Sequence, residues 1–290
     1  MGRHLDSARA YFGRDAGGLL DGGRYALVHT RSLELDDLRP YVPGDDVRDI
    51  DWKATARSGH TLIKRFVSEK HHKVLVVADT GRNITALAPS GERKQEVARN
   101  VIGAVGLLTV PRSDQIGMVL GDARGCVDIR LRRGETHIEY LLHRFHHQST
   151  TTPAASNIAV QLNWVARHYR HRLLIVVVAD EPDPSPELAE VLSRLTARHD
   201  LMWAMISDQP AVSSAEDERA GFDIAGGTFV LSGAELGAGV VQAYRESEDQ
   251  RRQQVSEFLT MHAVVHTDFA GSAGIRSGLT AMTEVYARAR

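Results

Sequence analysis

Apolar positions along this chain change their pattern at residue 73. Before it, residues 1–72 are polar and rich in charge and turn residues, and only "YALVH" (25–29) and "TLIKRFV" (61–67) predict short strands. "KVLVVAD" (73–79) is then a continuous β-branched apolar run that ends on an acid, the signature of a strand buried on both faces. "GERKQEVARNVIGAVGLLTV" (91–110) carries its apolar residues at helical spacing. "QIGMVLG" (115–121) and "CVDIRL" (126–131) predict two strands joined as a hairpin through Asp122–Gly125. Helices are predicted over "IEYLLHRFHH" (138–147) and "NIAVQLNWVARHY" (157–169), followed by a central strand over "RLLIVVVAD" (172–180). "SPELAEVLSRLTARH" (185–199) is a helix with Pro186 in its first turn. "LMWAMIS" (201–207) and "GTFVLS" (227–232) complete the expected strand set, and a long helix runs from about 234 to 262.

Continuous apolar strands alternating with amphipathic helices predict an α/β domain: a doubly wound, mostly parallel sheet with helices on both faces. The expected organisation is an irregular or β-containing N-terminal segment over 1–72, the sheet domain over 73–235, and a helical C-terminal segment over 236–290.

Composition narrows the partners. The net charge of −2 gives no global basic field for nucleic acid. A single cysteine, Cys126, rules out an intramolecular disulfide and fits a reducing compartment; beside a strand it reads as a small apolar residue. No stretch approaches the roughly 18 apolar residues of a membrane helix, and the N-terminus lacks the apolar core of a signal peptide. The expectation is a cytoplasmic chain without a membrane span.

Two places carry candidate chemistry. "YVPGDDVRDIDW" (41–52) crowds Asp45, Asp46, Asp49 and Asp51 around Arg48 and closes on Trp52. A metal site, an acid/base pair and a structural knot all compete here. EF-hand spacing is absent, and no histidine or nucleophile accompanies the acids. Cations do: Arg39, Arg48, Lys53, Arg57 and Lys64. The favoured expectation is a structural or docking knot of paired charges, with Trp52 packed beneath it. The second place is the strand ends, where ligands bind in open α/β sheets. Asp79 and Asp180 end two core strands, Asn83 follows the first, and Ser156 stands at a helix N-cap. Together they offer oxygen ligands from three loops, as Mg²⁺ requires, or else simply cap and hydrogen-bond those loops. His143 and His147, with His146 between them, sit at a zinc-compatible spacing but have no evident third ligand and read as a solvated helix face. No phosphate-binding P-loop, dinucleotide loop or serine-hydrolase elbow is present.

The stretch "RPYVPGDDVRDIDWKATARSG" (39–59), leading through "LIKRFVSEKHHKVLVVADTG" (62–81) into the first core strand, resembles the domain-of-unknown-function 58 family. The resemblance runs from about residue 20 to the end, and its first motif is the specific one. It implies a von Willebrand factor A-like sheet domain. Such domains hold a metal-ion-dependent adhesion site written Asp-x-Ser-x-Ser, completed by a Thr and an Asp on two other loops. On this pattern Asp79 is the first acid, Gly81 and Asn83 replace the two serines, Ser156 stands at the threonine and Asp180 at the last acid. The implied site is degenerate, with Mg²⁺ or another divalent cation as its cofactor, if any. The family resemblance further implies a non-catalytic binding or adaptor protein that works with a MoxR-type AAA+ ATPase on a protein client. A metal-dependent hydrolase using Asp79 and Asp180, or a structural assembly subunit, is the alternative.

Overall fold

The computed structural model describes residues 2–13, 30–42, 45–47, 50–151, 154–212 and 214–288. The chain divides into two units, one of Met1–Val28 with Lys73–Arg290 and one of His29–His72. The smaller unit pairs strand β1 (Thr30–Pro40) antiparallel with β2 (Leu62–His71), with an irregularity between Leu35 and Asp37. Between them lies the short helix α2 (Trp52–Ser58). The expected strand at 61–67 is thus part of β2, while the one at 25–29 lies outside the described residues.

In the larger unit six strands form one sheet in the order β10-β7-β6-β3-β4-β5. These are β3 (Lys73–Asp79), β4 (Gln115–Asp122), β5 (Gly125–Arg132), β6 (Leu174–Ala179), β7 (Asp200–Ile206) and β10 (Val265–Phe269). All neighbours run parallel except β4 and β5, which form the expected hairpin. Alternation along β3 shows why its sequence is apolar throughout. Val74, Val76 and Ala78 face one core, and Leu75 and Val77 face the other. The first core is closed by α1 (Arg3–Phe12), α3 (Lys94–Thr109), α4 (Glu135–Thr150) and α9 (Ile275–Arg288). The second is closed by α5 (Ile158–His168), α6 (Pro186–Thr196) and the end of α8 (Ala238–Met261). Burying each valine or leucine contributes about 2 kcal/mol. A strand packed on both faces is therefore a rigid platform for whatever its end carries.

Three expectations are corrected. "GTFVLS" does not join the main sheet. Its strand β9 (Thr228–Val230) pairs with β8 (Gly221–Asp223) in a separate two-stranded hairpin, and Phe229 is 83% exposed. The sixth strand comes instead from the C-terminal stretch expected to be helical: "VHTDF" forms β10 beside β7. Its alternation is too short to register in the sequence, and parallel pairing with Met202–Ile206 decides it. The long helix expected from about 234 to 262 is interrupted at Gly237 (φ +78°), so a four-residue turn α7 (Gly233–Leu236) precedes α8.

No helix among the described residues is long and apolar enough to cross a membrane.

Candidate functional site

The strand order reverses between β3 and β6, and the crevice beyond the carboxyl ends of these two strands is where an open α/β sheet presents its ligand site. The fold brings Asp79, Asn83, Ser156 and Asp180 together there. They line one cleft of about 330 Å³, with Asn157, Glu181, Asp183, Ser185 and Glu187 on its walls.

Each loop is fixed by backbone bonds. The Thr80 N–H donates to the Gly121 carbonyl at 2.8 Å, tying the end of β3 to β4. Arg82 N–H donates to the Ala154 carbonyl at 2.6 Å, and Asn83 N–H to Ser156 Oγ at 3.2 Å. The loop before α5 is pinned in turn by Asp122, whose carboxylate accepts from Ala154 N–H at 3.2 Å. Asn157, rather than Ser156, caps α5, accepting from Ala159 N–H at 3.1 Å. Ser156 is thereby released to face the cleft.

Asp79 is 1% exposed. Burial raises its carboxyl to about pH 6, against hydrogen bonds from Ser156 and the Gly81 N–H, with Asp180 adding repulsion and Lys94 opposing it. The remaining acid is held differently. Lys94, the first residue of α3, is fully buried, and its Nζ contacts Asp180 Oδ1 and, at 2.6 Å, Asp208 Oδ1. Burial alone would lower the Lys94 pKa, but the two carboxylates raise it above its ordinary value, so the ammonium stays charged. Asp180 Oδ2 is buried with no hydrogen-bond donor. The next residue, Glu181, is gripped by Arg251 of α8 at 2.6 Å.

Sequence reasoning missed Lys94 and Asp208. A signal for Lys94 existed: it lies in phase with Val97, Ala98 and Val101, a charge on the apolar stripe of its helix. It also places a cation at a helix N-terminus, against the macrodipole. Asp208, two residues past the end of β7, is a further strand-end acid.

The residues do not fit a magnesium ion well. Gly81 supplies no side-chain oxygen, and a Cβ there would sit 2.4 Å from Cα and Oγ of Ser156, so the space for a serine is already filled. Ser156 Oγ is committed to Asp79 and Asn83, and Asp180 to Lys94. Among the described residues, no group of three or more His, Cys, Asp or Glu is placed to hold a metal. Gly81→Ser therefore does not rebuild the site. We expect it to lower stability by about 1–3 kcal/mol, the cost of overpacking, as read in urea denaturation. An unchanged midpoint would show that the loop around 156 yields freely.

The acidic stretch lies in the smaller unit. Asp51 caps α2, accepting from Lys53 and Ala54 N–H at 3.0 Å each, a cap worth about 1 kcal/mol. Asp45 Oδ2 accepts from Val42 N–H at 2.9 Å, a turn bond, and Arg57 lies in the last turn of α2. Arg48 and Asp49 are outside the described residues, and Asp46 is exposed. Trp52, expected beneath the knot, is instead 67% exposed, because it opens a short helix that buries none of its residues. His143 and His146 do not simply face solvent: both pack against His4 of α1, at 6.2 and 5.1 Å between ring centroids. The Cys126 thiol is raised by burial and by Asp128, as suits an unreactive residue.

Fold and cleft together define an α/β sheet protein with an acidic cleft at its topological switch point. Residues 37–214, more than half of the chain, match the family described as "Protein of unknown function DUF58", and the chain belongs to that family. It is 24% identical over 196 residues to uncharacterized proteins of Mycobacterium tuberculosis (strain ATCC 25618 / H37Rv) and Mycobacterium bovis; the match covers 66% of this chain and 60% of the length of those relatives. Among solved structures it is similar to an aerotolerance-related membrane protein from Bacteroides fragilis (TM-score 0.46, 10% identity, 74% of this chain and 99% of that one). It is also similar to a von Willebrand factor type A protein from Catenulispora acidiphila (TM-score 0.44, 10% identity, 77% of this chain and 44% of that one).

Proposed function

We propose that this chain is a non-catalytic binding or adaptor protein that works in the cytoplasm with a MoxR-type AAA+ ATPase on a protein client, and that it engages the ATPase through the strand-end cleft. One observation carries the reading. Asp79 is kept buried at a cost, in the lining of a cleft whose loops are tied together by hydrogen bonds, and costly charges of this kind cluster at functional sites. The ATPase itself comes from the family resemblance. The hydrolase alternative is disfavoured by Lys94, which engages Asp180, one of the two acids that chemistry needs.

Asp183 and Glu187 line the cleft and are exposed, so reversing their charge alters the docking surface without touching the core. In pull-downs from native extract read by mass spectrometry, wild type should retain a MoxR-type ATPase. The Asp183→Lys/Glu187→Lys variant should lose about tenfold or more of it, the factor expected for about 1.4 kcal/mol, with its thermal midpoint unchanged. Equal recovery by both proteins, or no such ATPase in either, would sink the proposal. Metal-dependent ester or phosphoester turnover abolished by Asp79→Asn would favour the hydrolase.

A further inference from the structure

We infer that the Lys94 ammonium is this chain's built-in cation at the strand-end cleft: it takes the electrostatic role that a divalent metal plays in adhesion sites of this fold, and the cleft works without metal. The inference rests on reading that cleft as the binding site, and it fixes how the site is held together.

Three observations point the same way. First, the strand-end acids are already served. Nζ of a fully buried lysine contacts Asp180 and Asp208, and its charge also lowers the cost of Asp79. A divalent ion shared by Asp79 and Asp180 would have to approach this ammonium across the same Asp180 carboxylate, where like charges repel. Second, the ligand position lost at Gly81 is not open to a side chain. Ser156 Cα and Oγ lie 2.4 Å from where a Cβ would stand, so the two loops have closed on each other there. Third, Lys94 breaks two local rules, sitting on the apolar stripe of α3 and at the positive end of its dipole. Such violations persist where the site, not the helix, sets the residue.

The consequence concerns recognition. In a metal-bearing adhesion site a partner's carboxylate completes the coordination. Here that position has no metal to offer, and Asp180 Oδ2, buried with one oxygen of the pair on Lys94, lacks a hydrogen-bond donor. What the cleft exposes on its walls are the carboxylates of Asp183 and Glu187, which meet a donor, such as a backbone N–H or a basic side chain, rather than a carboxylate.

The test uses the isolated chain, so it succeeds or fails whether or not an ATPase is ever captured. Mn²⁺ binding is followed by electron paramagnetic resonance, and thermal midpoints are measured in millimolar Mg²⁺ and in EDTA. For wild type the expected result is no Mn²⁺ site and identical midpoints. A wild-type Mn²⁺ site that Asp79→Asn removes would overturn the inference, and this measurement stands even where variants fold poorly. Lys94→Met should have a lowered midpoint in EDTA that Mg²⁺ partly restores, while Lys94→Arg, which keeps the charge, should show no Mg²⁺ response. A folded Lys94→Met variant with no response to Mg²⁺ would also overturn it.

Discussion

Lys94→Met lowers the stability of the chain by about 3–5 kcal/mol in metal-free buffer, the range found when one member of a buried ion pair is removed. The loss does not come from the attraction itself, since buried pairs roughly balance their desolvation. It comes from stranding Asp180, whose carboxylate oxygens are buried and receive no other hydrogen bond. Asp208 adds little, because its side chain is 59% exposed and water screens it. For a unit of this size the thermal midpoint should fall by roughly 6–20 °C. The double variant Lys94→Met/Asp180→Leu should recover most of this, since replacing both partners by apolar groups removes the stranded Asp180 carboxylate. Chemical denaturation of the single and double variants checks both statements. A single-variant loss below about 1 kcal/mol would mean that Asp180 finds water or another donor when the lysine is gone.

Asp79→Asn acts in the opposite direction. Burial pushes the Asp79 carboxyl up to about 6, from an ordinary value of 3.8. The folded state therefore binds the proton more tightly, and stability falls as pH rises from about 4 to about 6. Above that window the ionised, buried Asp79 costs about 3 kcal/mol, which the two-sided burial of β3 readily offsets. Asparagine keeps an oxygen to accept the Gly81 N–H and carries no charge. At pH 7.5 the variant should be the more stable protein, and its advantage should shrink by about 2–3 kcal/mol on going to pH 4. Denaturation curves of both proteins across that range give the difference directly, with the titrations of all other groups cancelling. A pH-independent difference would mean that Asp79 is not the raised group.

Stability rising when an acid is neutralised is what a functional site predicts, because residues kept for binding are not those that fold the chain best. The same logic separates the two acidic regions. Asp51 and Asp45 bond backbone N–H groups next to them and help form a cap and a turn. Asp79 is held at a net cost, and Asp180 depends on a residue from another element.

The order of apolar runs was enough to predict the parallel sheet, its two helical faces and the β4–β5 hairpin, since burial on both faces demands continuous apolar strands and amphipathic crossovers. The strand-end position of Asp79 and Asp180 followed from the same runs, because a strand's last residue is read from its pattern. Strand β10 and the β8–β9 hairpin did not follow. Five- and three-residue segments carry too little periodicity, and only their pairing partners, β7 for one and each other for the rest, decide where they go. Nor did the fit at Gly81, which is set by Ser156 seventy-odd residues away packing against its α-carbon. Above all, the sequence placed a lysine on an apolar helix stripe, and the tertiary structure alone put its ammonium between two strand-end acids. A charge can be located along a helix by its period, but its counter-charges lie on other strands, and only the packing of α3 across the sheet brings them together.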